Sequence, residues 1–467
     1  MKLADMLCRP PRYNPSSKPC SSPTPRAMVF SQSISSMIPR RRFLRNSGGF
    51  FVAPLLGRHA LEAGLVEPAP MGKMNIGVVG VGNRGASNLV AVKGQTVSAV
   101  CDVDDRYLER ARQKFSSARG YHDWREMLEQ PGLDAVVIST PDHTHAGCAM
   151  GAMQKGLHVY CEKPLAHNIE ETRRMKEMAR ATGVVTQLGN QHHSSRGYRQ
   201  AVGYLQAGIL GPVRLVVAWT NRPLWPQGVS RPRGRGKVPA ELNWDLWLGP
   251  APARRYNPAY HPLGWRGWWD FGSGALGDMG PHLLDPVVAG LGLSAPVEVT
   301  SRCPPPNHWT FPASSIVRMT FDQVHQQEMP LQLHWYDGGE KPPVELEGRL
   351  PANGVMIHGE RARMFIPDYG GMPRLLGDPA VWSGDLAEGP SHHQGWINAC
   401  HQGGRSACDF SYAARLTEIC LLGNLSLRSG RAFRWDRQAG RIVNEPTLHL
   451  LLSRQRRPGW ELPAVNR

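Results

Sequence analysis

The stretch from Asn75 to Gly85, which reads NIGVVGVGNRG, decides the fold. A run of β-branched apolar residues gives way there to Gly80, Gly82 and Gly85, which have the G-x-G-x-x-G spacing. This spacing predicts a buried strand, a tight turn and a helix whose free N–H groups face an anionic group. We expect Gly80 to permit the turn, Gly82 to let a pyrophosphate approach, and Gly85 to let the helix lie close to the strand.

A carboxylate follows at the distance that a dinucleotide requires. The apolar run 97–101 ends in Asp102, which lies 22 positions after Gly80. A carboxylate there accepts hydrogen bonds from ribose hydroxyls and repels a 2′-phosphate. The alternative is that Asp102 only caps the next helix. The two features together predict a dinucleotide site that prefers NAD to NADP.

Strand-like and helix-like segments alternate from residue 71 to about residue 190. Among them, the apolar run 134–139 is typical of a buried strand. This alternation predicts an α/β fold with a doubly wound parallel sheet. Because ligands of such sheets bind beyond the carboxyl ends of the strands, we expect residues 80–85, Asp102, 140–145 and 162–164 to line one crevice.

The alternation ends after about residue 190. Strand candidates without regular intervening helices are 213–219, 297–302, 316–321, 331–336 and 363–366. They predict one largely antiparallel, open sheet in a second domain. The expected organisation is a leader at 1–70, a dinucleotide-binding domain at 71–190 and a second domain at 191–467.

Three motifs in this order resemble the Gfo/Idh/MocA oxidoreductases. They are the 80–85 loop, Ser139-Thr140-Pro141 followed by His145, and Glu162-Lys163-Pro164. The resemblance covers roughly residues 74 to 450. It implies a Rossmann domain followed by a substrate domain with an open sheet, and it places Lys163 beside the nicotinamide and the reacting hydroxyl. The alternative, a solvated surface lysine, is disfavoured by its position between a strand end and a proline.

A second candidate motif is Asp278-x-x-x-His282. The two residues are four apart and share one face of a helix. A carboxylate can orient an imidazole and stabilise its cation, so we expect Asp278 to make His282 a better general base. Because proline is tolerated in the first helical turn, Pro281 predicts that the helix begins near Asp278. Such a pair alone is usually structural, and the resemblance favours the catalytic interpretation.

An insertion at about 222–270 is rich in Pro, Arg and Trp. Tryptophan is highly buried on average, so most of these rings are expected in a core. We expect Trp265 and Trp268 to contact substrate together with Arg266, because aromatic faces stack on the C–H faces of sugars.

The candidate site residues fall into three groups. The catalytic candidates are Lys163, Asp278 and His282. The cofactor-binding candidates are Gly80, Gly82, Asn83, Arg84, Gly85, Asp102, Thr140, His145, Glu162 and Asn190, and the substrate-binding candidates are Trp265, Arg266 and Trp268. No metal is expected, because no His, Asp or Glu cluster has a ligand spacing and the nine cysteines form no C-x-x-C pair.

The leader carries a candidate export signal. Residues 1–70 are basic and rich in Pro and Ser, and residues 39–45, PRRRFLR, resemble the twin-arginine signal. We therefore expect export to the periplasm; the alternative is a disordered basic tail on a cytoplasmic protein. The apolar stretch 49–56 is too short to span a bilayer, and no membrane span is expected. The net charge of +16 makes nucleic-acid binding a function to consider. No recognition motif accompanies the charge, so nucleic-acid binding is not expected.

The predicted function is NAD-dependent oxidation of a secondary hydroxyl of a sugar, a sugar derivative or a cyclic polyol. His282 would take the hydroxyl proton while Lys163 polarises the oxygen. One alternative is an exported glycosidase that oxidises the sugar, eliminates the aglycone, adds water and reduces the product. A second is a non-catalytic protein that binds NAD or sugar. The open sheet also predicts a homo-oligomer formed through the C-terminal domain.

Overall fold

The computed structural model describes residues 72–465, apart from 235, 326, 347, 348, 385 and 387. The leader and its twin-arginine-like signal lie outside the described residues. All the described residues belong to one compact unit.

The first sheet has six parallel strands in the order β3-β2-β1-β4-β5-β6. The strands are β1 (Asn75–Val79), β2 (Thr96–Cys101), β3 (Arg119–Tyr121), β4 (Ala135–Ile138), β5 (His158–Glu162) and β6 (Thr186–Gly189). The helices are α1 (Arg84–Ala91), α2 (Asp105–Lys114), α3 (Trp124–Met127), α4 (His145–Gln154), α5 (Ile169–Thr182) and α6 (Arg196–Gln206). The central strand β4 is buried throughout, which explains its continuous apolar sequence. The predicted doubly wound parallel sheet is confirmed.

The second sheet has nine strands in the order β13-β12-β11-β7-β10-β9-β8-β14-β15. The strands are β7 (Val213–Trp219), β8 (Glu298–Arg302), β9 (Ser315–Phe321), β10 (Leu331–Asp337), β11 (Gly354–Gly359), β12 (Ala362–Pro367), β13 (Arg374–Gly377), β14 (Phe433–Asp436) and β15 (Arg441–Ile442). The helices are α7 (Trp244–Leu248), α8 (Gly274–Gly290), α9 (His392–Gln402) and α10 (Phe410–Ser429). Strands β7 and β10 pair in parallel, and the other neighbours pair antiparallel. The expectation of a mainly antiparallel sheet is confirmed.

Helix α8 differs from its prediction. It begins at Gly274, four residues before Asp278, so Pro281 lies well inside the helix rather than in its first turn. An internal proline costs a helix about 3 kcal/mol. Nearly the whole of α8 is buried, and it packs against α6 and α10, so tertiary packing outweighs this cost.

Helix α9 was not predicted from the sequence. It follows the second sheet in the chain but buries Trp396 and Ile397 in a core shared with β1, α1 and Tyr160 of the first sheet. Its residue His393 stacks on Tyr160 with ring centroids 4.6 Å apart. The polar sequence of α9 carries little apolar periodicity, and its partners are remote in the chain. The C-terminal part of the chain therefore helps to build the first sheet's core.

Candidate active site

The glycine loop has the shape that a pyrophosphate needs. Gly80 has φ +76°, and a Cβ at Gly85 would lie only 1.7 Å from the carbonyl oxygen of Gly80. The tight turn and the close approach of α1 to β1 therefore both require glycine, as predicted. Asn83 precedes α1 without a side-chain cap, and the N–H of Gly85 donates to the carbonyl of Gly82 at 2.8 Å, which leaves the N–H of Arg84, the first residue of the helix, for an anion. These features fit the diphosphate of a dinucleotide.

Asp102 lies at the end of β2 and lines the same cleft as Gly82. Its carboxylate accepts hydrogen bonds from the backbone N–H of Val81 at 2.8 Å and of Asp104 at 3.0 Å. Burial raises the pKa of Asp102 to about 6. The cap of α2 is Asp104, which accepts from Arg106 N–H, so the capping alternative for Asp102 is wrong. The geometry leaves Asp102 beside the place where a ribose would follow the diphosphate.

A cleft of about 350 Å³ runs from the glycine loop to α8. Most of the predicted site residues line it, although they come from both domains. They are Gly80, Gly82, Asn83, Arg84, Asp102, Thr140, Glu162, Lys163, Trp265, Arg266, Asp278 and His282. The sequence motifs therefore meet at one crevice beyond the carboxyl ends of the parallel strands, as expected.

Three residues predicted to bind the cofactor do not line the cleft: Gly85, whose N–H donates to the carbonyl of Gly82, His145 and Asn190. His145 is fully buried, and its two ring nitrogens lie 2.9 Å from the carbonyl oxygens of Thr140 and Pro164. Asn190 is also fully buried and donates to the carbonyl of Pro281 and the carboxylate of Asp285, each at 2.8 Å. His145 and Asn190 tie strand-end loops to neighbouring segments, so their place at the strand ends reflects support rather than contact.

The prediction for Trp268 was also wrong. Its side chain is 1% exposed and packs in the core of the insertion, where its indole N–H donates to the carbonyl of Ala259 at 3.1 Å. Trp265 does line the cleft, and the guanidinium of Arg266 lies 4.3 Å from its ring centroid. Trp265 lies within the short helical turn 264–267 and Trp268 follows it, and the spacing of the tryptophans alone does not reveal which ring reaches the cleft.

Lys163 and Asp278 form the central ion pair of the cleft. The Lys163 ammonium donates to the carboxylate and to the backbone carbonyl of Asp278, both at 2.8 Å. Arg266 Nε lies 3.5 Å from the same carboxylate oxygen. Burial alone would raise the pKa of Asp278, but Lys163 and Arg266 outweigh it and lower the pKa to about 2. Asp278 is therefore ionised and holds the lysine in place.

His282 is held differently from the prediction. The hydrogen bonds of Asp278 within the described part of the chain go to Lys163, and none joins Asp278 to His282. His282 Nδ1 is buried with no hydrogen-bond partner among the described residues. Burial, followed by the charge of Lys163, lowers the pKa of His282 well below its usual value. The imidazole is neutral at neutral pH, and the Asp278 carboxylate accepts from Lys163 rather than pairing with the imidazole as expected.

Glu162 precedes Lys163 and is fixed by amides. Its Oε1 accepts from Asn88 Nδ2 at 2.9 Å and from Gln191 Nε2 at 2.7 Å. Burial raises the pKa of Glu162. Asn88 also donates to the hydroxyl of Ser139 at 2.8 Å, so β4, β5 and α1 are joined directly beneath the cleft.

Further cleft residues were missed by the sequence motifs. Tyr369, His192 and Arg222 all line the cleft. They follow strand ends or short turns and carry no local spacing signal, so only the folded arrangement identifies them. Over the described ranges, no set of three or more His, Cys, Asp or Glu side chains is arranged to hold a metal ion. No described helix has the length and apolarity to cross a membrane.

These features define a two-domain nucleotide-binding protein, and comparison with known families agrees. Residues 74–190 match the sequence model of an oxidoreductase family with an NAD-binding Rossmann fold. Residues 207–326 match the model of that family's C-terminal alpha/beta domain. The chain belongs to the Gfo/Idh/MocA oxidoreductase family, and its first domain is an NAD-binding Rossmann fold.

Individual relatives match about a third of the chain. The scyllo-inositol 2-dehydrogenase (NAD⁺) of Bacillus subtilis strain 168 is 31% identical over 169 residues, which are 35% of this chain and 46% of that enzyme. A glycosyl hydrolase family 109 protein of Shewanella woodyi is 28% identical over 160 residues, which are 32% of this chain and 34% of that protein. The chain thus matches less than half the length of either relative.

A solved structure resembles the fold over a longer range. The WlbA dehydrogenase from Bordetella pertussis, in complex with NADH and UDP-GlcNAcA, has a TM-score of 0.58 and 18% identity. The match covers 78% of this chain and 99% of that one. At this identity the likeness shows the shared fold.

Proposed function

We propose that the protein is an NAD-dependent dehydrogenase that oxidises a secondary hydroxyl of a sugar, a sugar derivative or a cyclic polyol. One observation carries the proposal: the Lys163 ammonium is fixed at 2.8 Å by Asp278 in the same cleft as the glycine loop. A fixed cation beside a dinucleotide site stabilises the negative charge that develops on an alcohol oxygen during oxidation. Bound NAD supplies the hydride acceptor.

The hydrogen bonds of Lys163 leave one donor for the substrate. An ammonium has three N–H donors, and Asp278 accepts two of them with its carboxylate and its backbone carbonyl. The third can reach an oxygen placed in the cleft. Because Asp278 holds the ammonium in advance, little reorganisation is needed when charge develops.

His282 is the candidate proton acceptor. The ring is neutral, so one of its nitrogens carries a lone pair. With Nδ1 buried and without a partner, Nε2 is the nitrogen left to meet a ligand in the cleft. Nε2 would accept the hydroxyl proton as the C–H bond breaks. The nearby carboxylate of Asp278 favours the resulting cation.

The cleft wall supports a carbohydrate substrate. Trp265 offers an aromatic ring beside the donor groups of Arg266, a combination that suits the C–H face and hydroxyls of a sugar ring. The dehydrogenase relative named above acts on an inositol, according to its name. The glycosyl hydrolase relative keeps the redox-neutral glycosidase as the second candidate.

The test is a substrate panel of inositols, free sugars and glycosides, incubated with the purified full-length protein and NAD. The proposal expects NADH absorbance to rise with a free polyol or sugar. Release of the aglycone from a glycoside without net NADH would favour the glycosidase. If the protein binds NAD but neither forms NADH nor turns over a glycoside, both the dehydrogenase and the glycosidase are contradicted, and a binding protein is indicated.

We also propose export by the twin-arginine route, which rests on the sequence at 39–45. Changing Arg40 and Arg41 to lysine should retain the protein inside the cell. Unchanged fractionation of this variant would contradict the proposal.

A further inference from the structure

Three aromatic rings meet at the wall of the cleft. Tyr369 stacks on His282 with centroids 5.3 Å apart and an interplanar angle of 29°. His192 meets Tyr369 edge-on at 5.0 Å and 70°, and it meets His282 at 5.7 Å and 78°. All three side chains line the cleft. The imidazole of His282 therefore has a ring against its face and another at its edge.

The loop that carries Tyr369 is held closely. It follows β12, and Gly370, with φ +86°, lies so near His192 that a Cβ there would be 2.9 Å from the Cβ of His192. A Cβ at Gly197 would lie 2.4 Å from the carbonyl oxygen of Gly371. The backbone of this loop therefore packs directly on the start of α6, and its position is fixed by close contact.

The residue before Tyr369 adopts an unusual backbone conformation. Asp368 has φ +49°, which non-glycine residues rarely adopt. Asn353 holds it: the Asp368 N–H donates to the Asn353 carbonyl at 3.2 Å, and Asn353 Nδ2 donates to the Asp368 carboxylate at 3.3 Å. Such conformations are unfavourable for non-glycine residues and cluster at functional sites. Here the turn directs the Tyr369 ring into the cleft.

The His282 ring is oriented by its aromatic contacts rather than by hydrogen bonds. The described residues give its ring no hydrogen bond, and the neighbouring cations Lys163 and Arg84 disfavour its charged form. The carboxylate that was expected to orient it is engaged by Lys163. The hydroxyl of Tyr369 also has no hydrogen-bond partner among the described residues, although the side chain faces the cleft.

We infer that Tyr369 is a further active-site residue of the proposed dehydrogenase. Its ring is a positioning group, which holds the His282 imidazole in the plane that proton transfer requires. Its hydroxyl is a substrate-binding group, which contacts a second oxygen of the sugar or polyol. This inference rests on the proposed function for the substrate contact but not for the positioning of His282.

Two substitutions separate the ring from the hydroxyl. Tyr369→Phe keeps the stacked ring, so we expect hydride transfer at saturating substrate to stay near that of the parent while KM rises about two- to tenfold, the loss of one hydrogen bond. Tyr369→Ala removes the ring as well, so we expect hydride transfer at saturation to fall by about tenfold or more. NAD affinity should be unchanged in both. If Tyr369→Ala does not fold, Tyr369→Leu replaces it.

The control is Tyr204→Ala. Tyr204 also packs edge-on against an aromatic ring, that of Trp382 at 4.9 Å, but it does not line the cleft. This variant should keep both KM and the rate. Equal saturating rates in the parent and Tyr369→Ala would overturn the positioning role, and an unchanged KM in Tyr369→Phe would overturn the substrate contact.

A second measurement needs no turnover. The ring protons of His282, assigned by comparison with His282→Gln, are titrated by NMR in the parent, Tyr369→Phe and Tyr369→Ala. The groups that face His282 are Lys163, Asp278, His192 and Arg84, and all remain in both variants. Loss of the ring admits water, so the His282 pKa should rise in Tyr369→Ala but not in Tyr369→Phe. Identical titrations in all three proteins would overturn the positioning role even if the dehydrogenase proposal itself fails.

Discussion

The two ends of the cleft are built in different ways. At the nucleotide end, the need for glycine is set locally. A Cβ at position 85 would clash with the carbonyl oxygen of Gly80, only five residues earlier in the chain. At the substrate end, Lys163 reaches Asp278 across 115 positions of sequence, and Tyr369 reaches His282 from the loop that follows β12. Short-range geometry fixes the first end, and tertiary packing assembles the second.

This difference explains which roles the sequence could assign. A spacing of glycines predicts backbone conformation, because the backbone itself sets the constraint. A spacing of Asp and His predicts only that the two side chains share a helix face. It does not predict which of several neighbours the carboxylate will bind, and here a lysine from the other domain takes it.

The largest expected effect lies at the substrate end. Lys163→Met removes the fixed cation, so hydride transfer should slow by about a hundred- to ten-thousand-fold, as for loss of a positioned acid–base group. NAD affinity should stay near that of the parent, because the dinucleotide contacts lie at the other end. Stopped-flow nicotinamide absorbance measures the rate of hydride transfer, and a cofactor titration measures the NAD affinity.

The matched control is Lys155→Met. Lys155 also pairs with a carboxylate, that of Glu129 at 2.8 Å, but it does not line the active-site cleft. Slowing of both variants by the same factor would show that loss of an ion pair, not loss of the active-site cation, lowers the rate.

A smaller effect is expected at the nucleotide end. Gly85→Ala places a Cβ where the carbonyl oxygen of Gly80 now lies, so α1 must move away from β1. We expect a loss of about 1–3 kcal/mol, measured as weaker NAD binding and a lower free energy of unfolding. Gly94→Ala is the control, because a Cβ there meets open space. Unchanged NAD affinity in Gly85→Ala would contradict the local account of this loop.

The smallest effect concerns cofactor choice and pH. Burial raises the pKa of Asp102 to about 6, so its carboxylate becomes protonated as pH falls through that value. Protonation removes the charge that repels a 2′-phosphate, and the preference for NAD over NADP should fall by about tenfold between about pH 7 and pH 5. Cofactor titrations at both pH values measure this.

Asp102→Asn is the control for the pH experiment, since the 2′-phosphate itself also titrates in this range. The preference of Asp102→Asn for NAD over NADP should be weaker than that of the parent. It should depend on pH only through titration of the 2′-phosphate. Identical pH dependence in the parent and Asp102→Asn would show that Asp102 does not set the choice.

The sequence predicted the parallel sheet, the mainly antiparallel second sheet and most of the cleft lining. It failed where contact partners are distant or hidden. His145 belongs to a motif that lines the cleft and Asn190 follows β6, but both side chains turn away from the cleft and support neighbouring loops. Trp268 and Trp265 are three residues apart, yet only Trp265 lines the cleft. Tyr369 follows β12 in a loop without a motif, so only the folded arrangement places it against His282.

The most direct test of the account is a pair of double-mutant cycles on the rate of hydride transfer. One cycle combines Lys163→Met with Asp278→Asn, and the other combines Asp278→Asn with His282→Gln. Because Asp278 acts mainly by holding Lys163, the first double variant should be no slower than Lys163→Met alone. Asp278 influences His282 only through its charge, so the second cycle should show weaker coupling than the first. Multiplying effects of Lys163→Met and Asp278→Asn, together with strong coupling between Asp278 and His282, would contradict the ion pair as the working unit of the site.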